Sequence, residues 1–419
     1  KHRMGLRILS VLRREVNIET LALEKPVLHI RVYEDGSTNL PEPEALRRQD
    51  PLEKWLALAI GNFEIHNGWL QVNDQRTPLE AHGEDFSCRL AYDPAGMRQS
   101  GALSFRQLRL TVAGFTPPAF NADVSLMLEP HRLALQNAVL SSGASQAVIS
   151  GAVENLLRAP QARLAVSARL ALAELQAAAR AGNLAAGELN LKGELAYRSG
   201  AGYELKGRIS SAGLTLRSGG RRISVARLSS DLFASPSGVE LERLSAQVLG
   251  GRFNGVMKAD AQGHLLLAGE VEKLKLSELA AAAAAPAPPW DGLLSGPVRV
   301  EAVLHGRRPS VSALSGKLAV DPAGSGAPLR GNVEFTAHPD SGTIEFGNSY
   351  LAGLATEARF AGQLDRQLSI EIVSRDYQEL ARAAAFARMP LPQLGPAGLS
   401  YEAARFNGML GGGLASPRA

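Results

Sequence analysis

The sequence contains a single cysteine, Cys88. One thiol excludes an intramolecular disulfide and any metal site built from several cysteines. An oxidising compartment is therefore neither required nor excluded. Cys88 stands in the alternating segment Phe86-Ser87-Cys88-Arg89-Leu90. This setting predicts a small core residue rather than a nucleophile.

Aromatic residues make up only 5% of the chain, and long apolar runs are lacking. The longest run, residues 279–285, consists mostly of alanine and ends at Pro286, so it is too short and too weakly apolar to span a bilayer. No signal-peptide pattern is visible. The sequence starts at Lys1 and stops soon after a glycine run, which predicts a fragment whose targeting or membrane segment lies outside these residues.

An excess of charge of one sign is also lacking. The chain has 45 basic and 41 acidic residues, a net charge of +4 and a pI near 9.2. Nucleic-acid-binding proteins usually concentrate basic residues on one face or stripe, and no such cluster is present, so we expect no nucleic-acid partner. The nearest approach is Arg3, Arg7, Arg13 and Arg14, around a weakly helical pattern at residues 6–15 that predicts either a headgroup-contacting helix or a solvated start.

Patterns that carry chemistry are missing as well. The eight histidines show no metal-ligand spacing, and no Gly-x-Ser-x-Gly elbow occurs. No Gly-Lys-Ser/Thr follows Gly250-Gly251, so a β-turn is favoured over a nucleotide loop. We predict no catalytic, cofactor-binding or metal site, no cofactor and no enzyme activity. A triad assembled from distant residues stays open, and a glycan-active enzyme is the last alternative.

Alternation of apolar and polar residues is what the sequence does contain. Between residues 187 and 279, apolar side chains recur at every second position within segments that Gly- and Ser-containing turns separate. This period of two is typical of strands with one apolar and one solvated face. The alternating apolar residues in the first part of the segment are Leu189, Leu191, Leu195, Leu205, Ile209, Leu214 and Leu216.

Similar strands are predicted along most of the chain. Asn67-Gly68 is the preferred two-residue hairpin turn, and Asp50-Pro51 predicts the start of a helix. Helices are too few for a parallel β/α architecture. We therefore predict an all-β, mainly antiparallel, elongated repeating β-groove with a few short helices between modules.

Three helix starts recur at regular spacing. Glu174-Leu175, Glu278-Leu279 and Glu379-Leu380 each open an alanine-rich segment, 104 and 101 residues apart. Regular spacing of this kind indicates stacked structural modules. We predict an N-terminal strand and turn region at 1–50, groove modules at 51–182, 183–289 and 290–388, and the start of a further module at 389–419.

Several short motifs resemble the AsmA-like family, of the TamB and YhdP type. The likeness covers nearly the whole chain, and the order of the motifs carries it. The N-terminal part contributes a strand at 18–23, Lys25-Pro26 and a second strand, then the turn Asp35-Gly36-Ser37-Thr38-Asn39-Leu40-Pro41. The segment 60–74 is similar to the next family hairpin, and Leu249-Gly250-Gly251-Arg252-Phe253-Asn254-Gly255 resembles the Gly-Gly-x-Phe-x-Gly hairpin of later repeats.

The resemblance implies a gutter-shaped sheet with an apolar concave face. Such proteins are anchored in the inner membrane of diderm bacteria, cross the periplasm and are associated with phospholipid transport to the outer membrane. It also implies an outer-membrane barrel protein as a further partner. The family's N-terminal transmembrane helix and C-terminal domain are missing from these residues, so membrane contact is expected through segments outside them.

A sheet with one apolar face needs something apolar to cover that face. Acyl chains are suitable, because each buried methylene contributes about 0.8 kcal/mol without directional contacts. We expect a periplasmic phospholipid conduit; the alternatives are a scaffold for outer-membrane protein assembly or secretion, and a passive structural or adhesive surface protein. The predicted groove-lining residues are Leu189, Leu191, Leu195, Leu205, Ile209, Leu214, Leu216, Phe253, Met257, Leu265 and Leu267.

Overall fold

The structure is a computed structural model of the 419-residue chain. It describes residues 2–6, 18–34, 37, 39, 60–75, 79–112, 118–156, 159–178, 185–218, 221–283, 285, 287–305, 308–324, 326–364, 366–386 and 404–410. The chain divides into two compact units, Lys1–Ile209 and Ser210–Ala419.

The first unit is built from strands rich in alternating aliphatic residues. They are β1 (His2–Leu6), β2 (Ile18–Glu24), β3 (Val27–Val32), β4 (Asn62–Asp74), β5 (Leu79–Asp93), β6 (Arg98–Val112), β7 (Phe120–Leu128), β8 (Arg132–Ser142), β9 (Ser145–Glu154), β10 (Gln161–Ala171), β11 (Ala185–Arg198) and the first residues of β12 (Gly202–Ser218).

The second unit continues in the same manner after the division within β12. Its further strands are β13 (Arg221–Ser235), β14 (Gly238–Val248), β15 (Gly251–Asp260), β16 (His264–Lys275), β17 (Trp290–His305), β18 (Arg308–Pro322), β19 (Ala327–Pro328), β20 (Arg330–His338), β21 (Thr343–Ala352), β22 (Thr356–Gln363), β23 (Gln367–Ser374) and β24 (Ala404–Leu410).

Three short helices in the described residues follow strands directly or nearly so. They are α1 (Leu172–Ala178), α2 (Leu276–Ala282) and α3 (Tyr377–Phe386), at the predicted Glu-Leu segments. Among the described residues, no helix combines the length and the apolar character that a bilayer crossing requires.

The strands pair mostly in sequence order. From β4 to β11, each strand pairs antiparallel with the next. In the second unit the same holds from β13 to β18 and from β20 to β24, and β18 pairs with β20. The prediction of an all-β, mainly antiparallel fold is confirmed. The module boundaries at 50, 182, 289 and 388 stay a prediction.

The predicted hairpin turn at Asn67-Gly68 is wrong, because β4 continues through both residues. Its partners β2 and β3 both run parallel to β4 and are joined at Lys25. Lys25 N donates to His66 O at 2.8 Å, and Asn67 has a φ of 52°. Asn67 therefore supplies a left-handed backbone inside a strand, where it accommodates the break between β2 and β3.

Two predictions concern the N-terminal helices. The helical pattern assigned to residues 6–15 begins at Leu6, which instead ends β1, and Arg3 also lies in β1. The cross-strand pairing of β1 with β2 outweighs the weak local helical preference. The rest of that pattern lies outside the described residues. The helix predicted from Asp50-Pro51 also lies outside them, at least as far as residue 59.

Bulges recur in the long strands. Non-glycine residues with a left-handed φ stand at register shifts in several strands: Asn67 and Asp85 in the first unit, Arg227, Arg243 and Lys273 in the second. A bulge bends its strand and increases the local twist. The sheet of each unit is therefore bent along these positions.

The two helices of the second unit are separated by six strands of its main sheet, β17, β18 and β20 to β23. Because successive strands are antiparallel, an even number returns the chain to the edge from which it started. Thus α2 and α3 leave the sheet at the same edge, which we call the helix edge.

Candidate functional site

In the first unit, strand register places one residue from each of eight strands in a single apolar row. Directly paired residues of antiparallel strands lie on the same face of the sheet. The row is Ile65, Cys88, Leu103, Val124, Ala138, Ile149, Val166 and Gly193. Ile65 and Cys88 are buried, whereas Ile149 and Val166 are half-buried.

The second unit has a matching row across seven strands, the half-buried row. It consists of Leu241, Met257, Leu267, Val300, Leu314, Ala337 and Ile344. Apart from Leu241, which is buried, these side chains keep part of their surface exposed. An unbroken stripe of partly exposed aliphatic groups thus crosses the unit perpendicular to its strands.

Nearer the helix edge, the same face of the second unit carries a buried row. Leu274, Leu294 and Val320 are cross-strand neighbours, at 8%, 6% and 3% exposure. Leu276 of α2 and Trp290 pack against the cluster that contains them. The apolar face is therefore closed at the helix edge and partly open farther from it.

Close packing on the apolar face depends on glycine. In the second unit, a Cβ on Gly255 would lie 2.8 Å from the Phe253 ring, and one on Gly316 would lie 3.0 Å from the Phe335 ring. In the first unit, a Cβ on Gly83 would lie 2.7 Å from the Phe105 ring, which stacks on Phe86 at 4.6 Å. The aromatic rings thus lie close to these glycines, where a larger residue would displace them.

The opposite face is polar and carries cross-strand ion pairs. In the second unit, Lys258 pairs with Glu240 at 3.3 Å and Arg252 with Glu272 at 3.6 Å. In the first unit, Arg132 pairs with Glu154 at 2.9 Å. Such exposed pairs add only about 0.2–1 kcal/mol each, so they favour the correct register more than they stabilise the fold.

The eleven predicted groove-lining residues fall into three groups. In the first unit, Leu189, Leu191 and Leu195 share one face of β11, opposite Leu170, Ala168 and Leu164 of β10. In the second unit, Phe253 pairs with Val271, Met257 with Leu267, and Ala259 with Leu265, so all four predicted residues there share a face. The remaining four lie along β12: Leu205 half-buried, Ile209 and Leu214 buried, and Leu216 41% exposed.

In α1 and α3, the first-turn glutamate reaches back and hydrogen-bonds to the tight turn of a preceding hairpin, a contact we call the clasp. Glu174 Oε1 accepts from Ala144 N at 2.7 Å, and its Oε2 accepts from Ser145 Oγ at 2.6 Å. Glu379 accepts from Leu354 N at 3.1 Å and Ala355 N at 2.8 Å. The hydrogen bonds to Glu174, of which that from the Ser145 hydroxyl has the largest effect, hold the pKa of Glu174 below its ordinary value. The sequence showed the helices but not these partners.

The resemblance motif at Asn39 has a structural role in the first unit. Asn39 Oδ1 accepts from Arg31 N at 2.8 Å, and its Nδ2 donates to His29 O at 2.8 Å. The side chain therefore satisfies backbone groups along β3 as a further strand would.

Two polar or reactive side chains are buried on the apolar face of the first unit. Cys88 is 4% exposed, and burial raises the pKa of its thiol to about 12, so it is a poor nucleophile. Gln99 is fully buried between Tyr92 and Leu128 of the neighbouring strands, and neither polar atom of its amide has a hydrogen-bond partner among the described residues. In the described part of the chain, no group of three His, Cys, Asp or Glu residues could hold a metal ion.

Charged side chains do surround one shallow cleft of about 340 Å³ on the second unit. They already pair with one another, Arg299 with Glu301 at 2.8 Å and His264 with Asp260 at 2.8 Å. Mutual pairing leaves little charge for a ligand.

Comparison with known proteins adds nothing to this picture. No family model, no curated protein and no solved structure matches the chain. A proposal of function therefore rests on the apolar face of the described residues.

Proposed function

We propose that this protein binds phospholipid acyl chains on the apolar faces of its sheets and conducts lipids between the two membranes of a diderm bacterium. One observation carries the proposal: aliphatic side chains form an unbroken, partly exposed row across seven strands of the second unit. A monomeric protein rarely leaves a contiguous apolar surface in water without a binding role for it.

The chemistry of the row suits a moving acyl chain. Its side chains offer dispersion and hydrophobic contact but no hydrogen bond. A methylene group of the lipid therefore binds about equally well at each position along the row. Each methylene that leaves water contributes about 0.8 kcal/mol, and about eight of them would contribute about 6 kcal/mol before the entropy of the chain is lost. Binding would therefore be firm without fixing one register.

The resemblance to AsmA-like proteins supports the proposed setting. It favours a periplasmic location with an inner-membrane anchor and an outer-membrane barrel partner. These would involve segments beyond the residues described, and all belong to the proposal.

Neighbouring leucines on opposite faces allow a matched test. Leu267 lies in the half-buried row, whereas Leu266 pairs with Lys258 and Glu301 on the polar face. A photoreactive phenylalanine analogue would replace one or the other, in protein expressed in a bacterium with two membranes. After illumination, mass spectrometry would identify the adducts.

We expect phospholipid adducts at position 267 and few at 266. Equal labelling at both positions, or no lipid at 267, would contradict the proposal. Adducts at 267 to a β-rich client protein rather than to lipid would favour the scaffold alternative.

A further inference from the structure

The clasp is complete in two of the three helices and incomplete in the third. In α1 and α3, the glutamate carboxylate accepts hydrogen bonds from the turn that it reaches, from backbone amides and, for α1, a serine hydroxyl. In α2, the equivalent Glu278 has 46% of its side chain exposed, and its Oε1 lies 3.7 Å from Lys275 Nζ. Within the described residues, no hydrogen bond joins Glu278 to the turn at Leu249 and Gly250.

Helices α1 and α3 are also held by a second set of contacts. The Gln176 amide of α1 donates to Ala185 O at 2.8 Å and accepts from Ala185 N at 2.9 Å. Before α3, the buried Ser374 hydroxyl donates to Asp376 O at 2.8 Å, and Gln378 N donates to Asp376 Oδ1 at 2.8 Å. The second bond is an N-cap that satisfies a free amide of the first turn.

Within the part of the chain that the structure describes, helix α2 has no equivalent of these contacts. Its N-cap residue, Lys275, makes no side-chain cap hydrogen bond, and none of the residues of α2 is buried. Leu279 keeps 37% of its surface exposed. Helix α2 is attached by the backbone bond from Lys275 N to Leu249 O at 2.9 Å, by the packing of Leu276 on the buried cluster and by contacts with β13, β16 and β17.

We propose that α2 is a releasable cover of the second unit, whereas α3 is a fixed one. Undocking of α2 withdraws Leu276 from the cluster formed by the buried row and exposes the helix-edge end of the apolar face. The cover thereby controls how much of that face is open. The inference does not depend on lipid binding, because it concerns the chain alone.

Hydrogen exchange followed by mass spectrometry tests this on the full chain without lipid. Peptides covering 276–282 and 377–386 would be compared after correction for intrinsic exchange rates. We expect protection at least about tenfold lower in α2 than in α3, with the flanking β16 and β17 protected. Equal protection of the two helices would overturn the proposal.

Two variants test whether the clasp is the cause. Glu379→Gln keeps the size of the side chain but weakens its two hydrogen bonds, so the protection of α3 should fall toward that of α2. Glu278→Gln should leave α2 unchanged. Unaltered exchange in β20 shows that each variant is folded, and an E379Q protein whose α3 stays fully protected would overturn the assigned cause.

Discussion

The close approach of β15 and β16 makes Gly269 intolerant of a side chain. Gly269 pairs with Gly255 across the two strands. A Cβ added to Gly269 would lie 2.6 Å from Gly255 Cα and closer still to the carbonyl oxygen of Asn254. Both obstacles are backbone atoms, so no side-chain rotation relieves the overlap. Gly269→Ala should therefore separate the two strands.

Overpacking of this kind costs about 1–3 kcal/mol. Gly213→Ala is the matched control, because a Cβ there would have no atom of the described residues within 4 Å. Its backbone lies outside the left-handed region, so the control should be neutral or stabilise by about 0.4–1 kcal/mol through the unfolded state. For a unit of this size, the G269A change should lower the Tm by several degrees, about 2–4 °C per kcal/mol.

Urea unfolding monitored by circular dichroism would measure both variants under the same conditions. The difference between their midpoints is the quantity of interest, since common errors of extrapolation cancel. If G269A unfolds at the same urea concentration as G213A, the close approach does not exist and the pairing of the strands is wrong.

Three further predictions concern single side chains of the first unit. The hydrogen bonds that lower the pKa of Glu174 stabilise the fold fully above the ordinary glutamate pKa of about 4.3, and this stabilisation is lost as pH falls through the lower pKa of the folded state. In E174Q, the urea midpoint should therefore depend less on pH below about pH 4.5. With a pKa of about 12, Cys88 should resist a maleimide at pH 8 until urea unfolds the unit, and rapid labelling of the native protein would contradict its burial. Gln99→Met should raise the free energy of unfolding by about 1–3 kcal/mol, because it removes an unpartnered buried amide; a loss of stability would show that the amide is satisfied.

The sequence alone predicted those elements of the fold that a local residue pattern determines. Period-two alternation predicted β11, and Leu189, Leu191 and Leu195 do share one face of that strand. The Glu-Leu recurrence located the three helices, since helix propensity and the alanine run act within a few residues.

Long-range contacts explain what could not be predicted. Asn67-Gly68 carries the composition of a turn, but the break at Lys25, more than 40 residues away, uses it as a bulge. Nothing near Lys273 signals a left-handed backbone, because the register with β17 imposes it. The clasp of Glu379 likewise joins residues that lie 24 and 25 positions apart, so the sequence shows the glutamate without its partners.

The even number of strands between α2 and α3 has a consequence for how such a chain can change in length. A segment of six consecutively paired strands begins and ends at the same edge, and each strand bonds only to its neighbours. Its duplication or loss would leave the flanking strands with the same direction and the same side-chain parity. At about 4.8 Å per strand, one such event would change the width of the ladder by about 29 Å without rebuilding its core. Reach could therefore evolve in whole steps, as it does in repeat proteins.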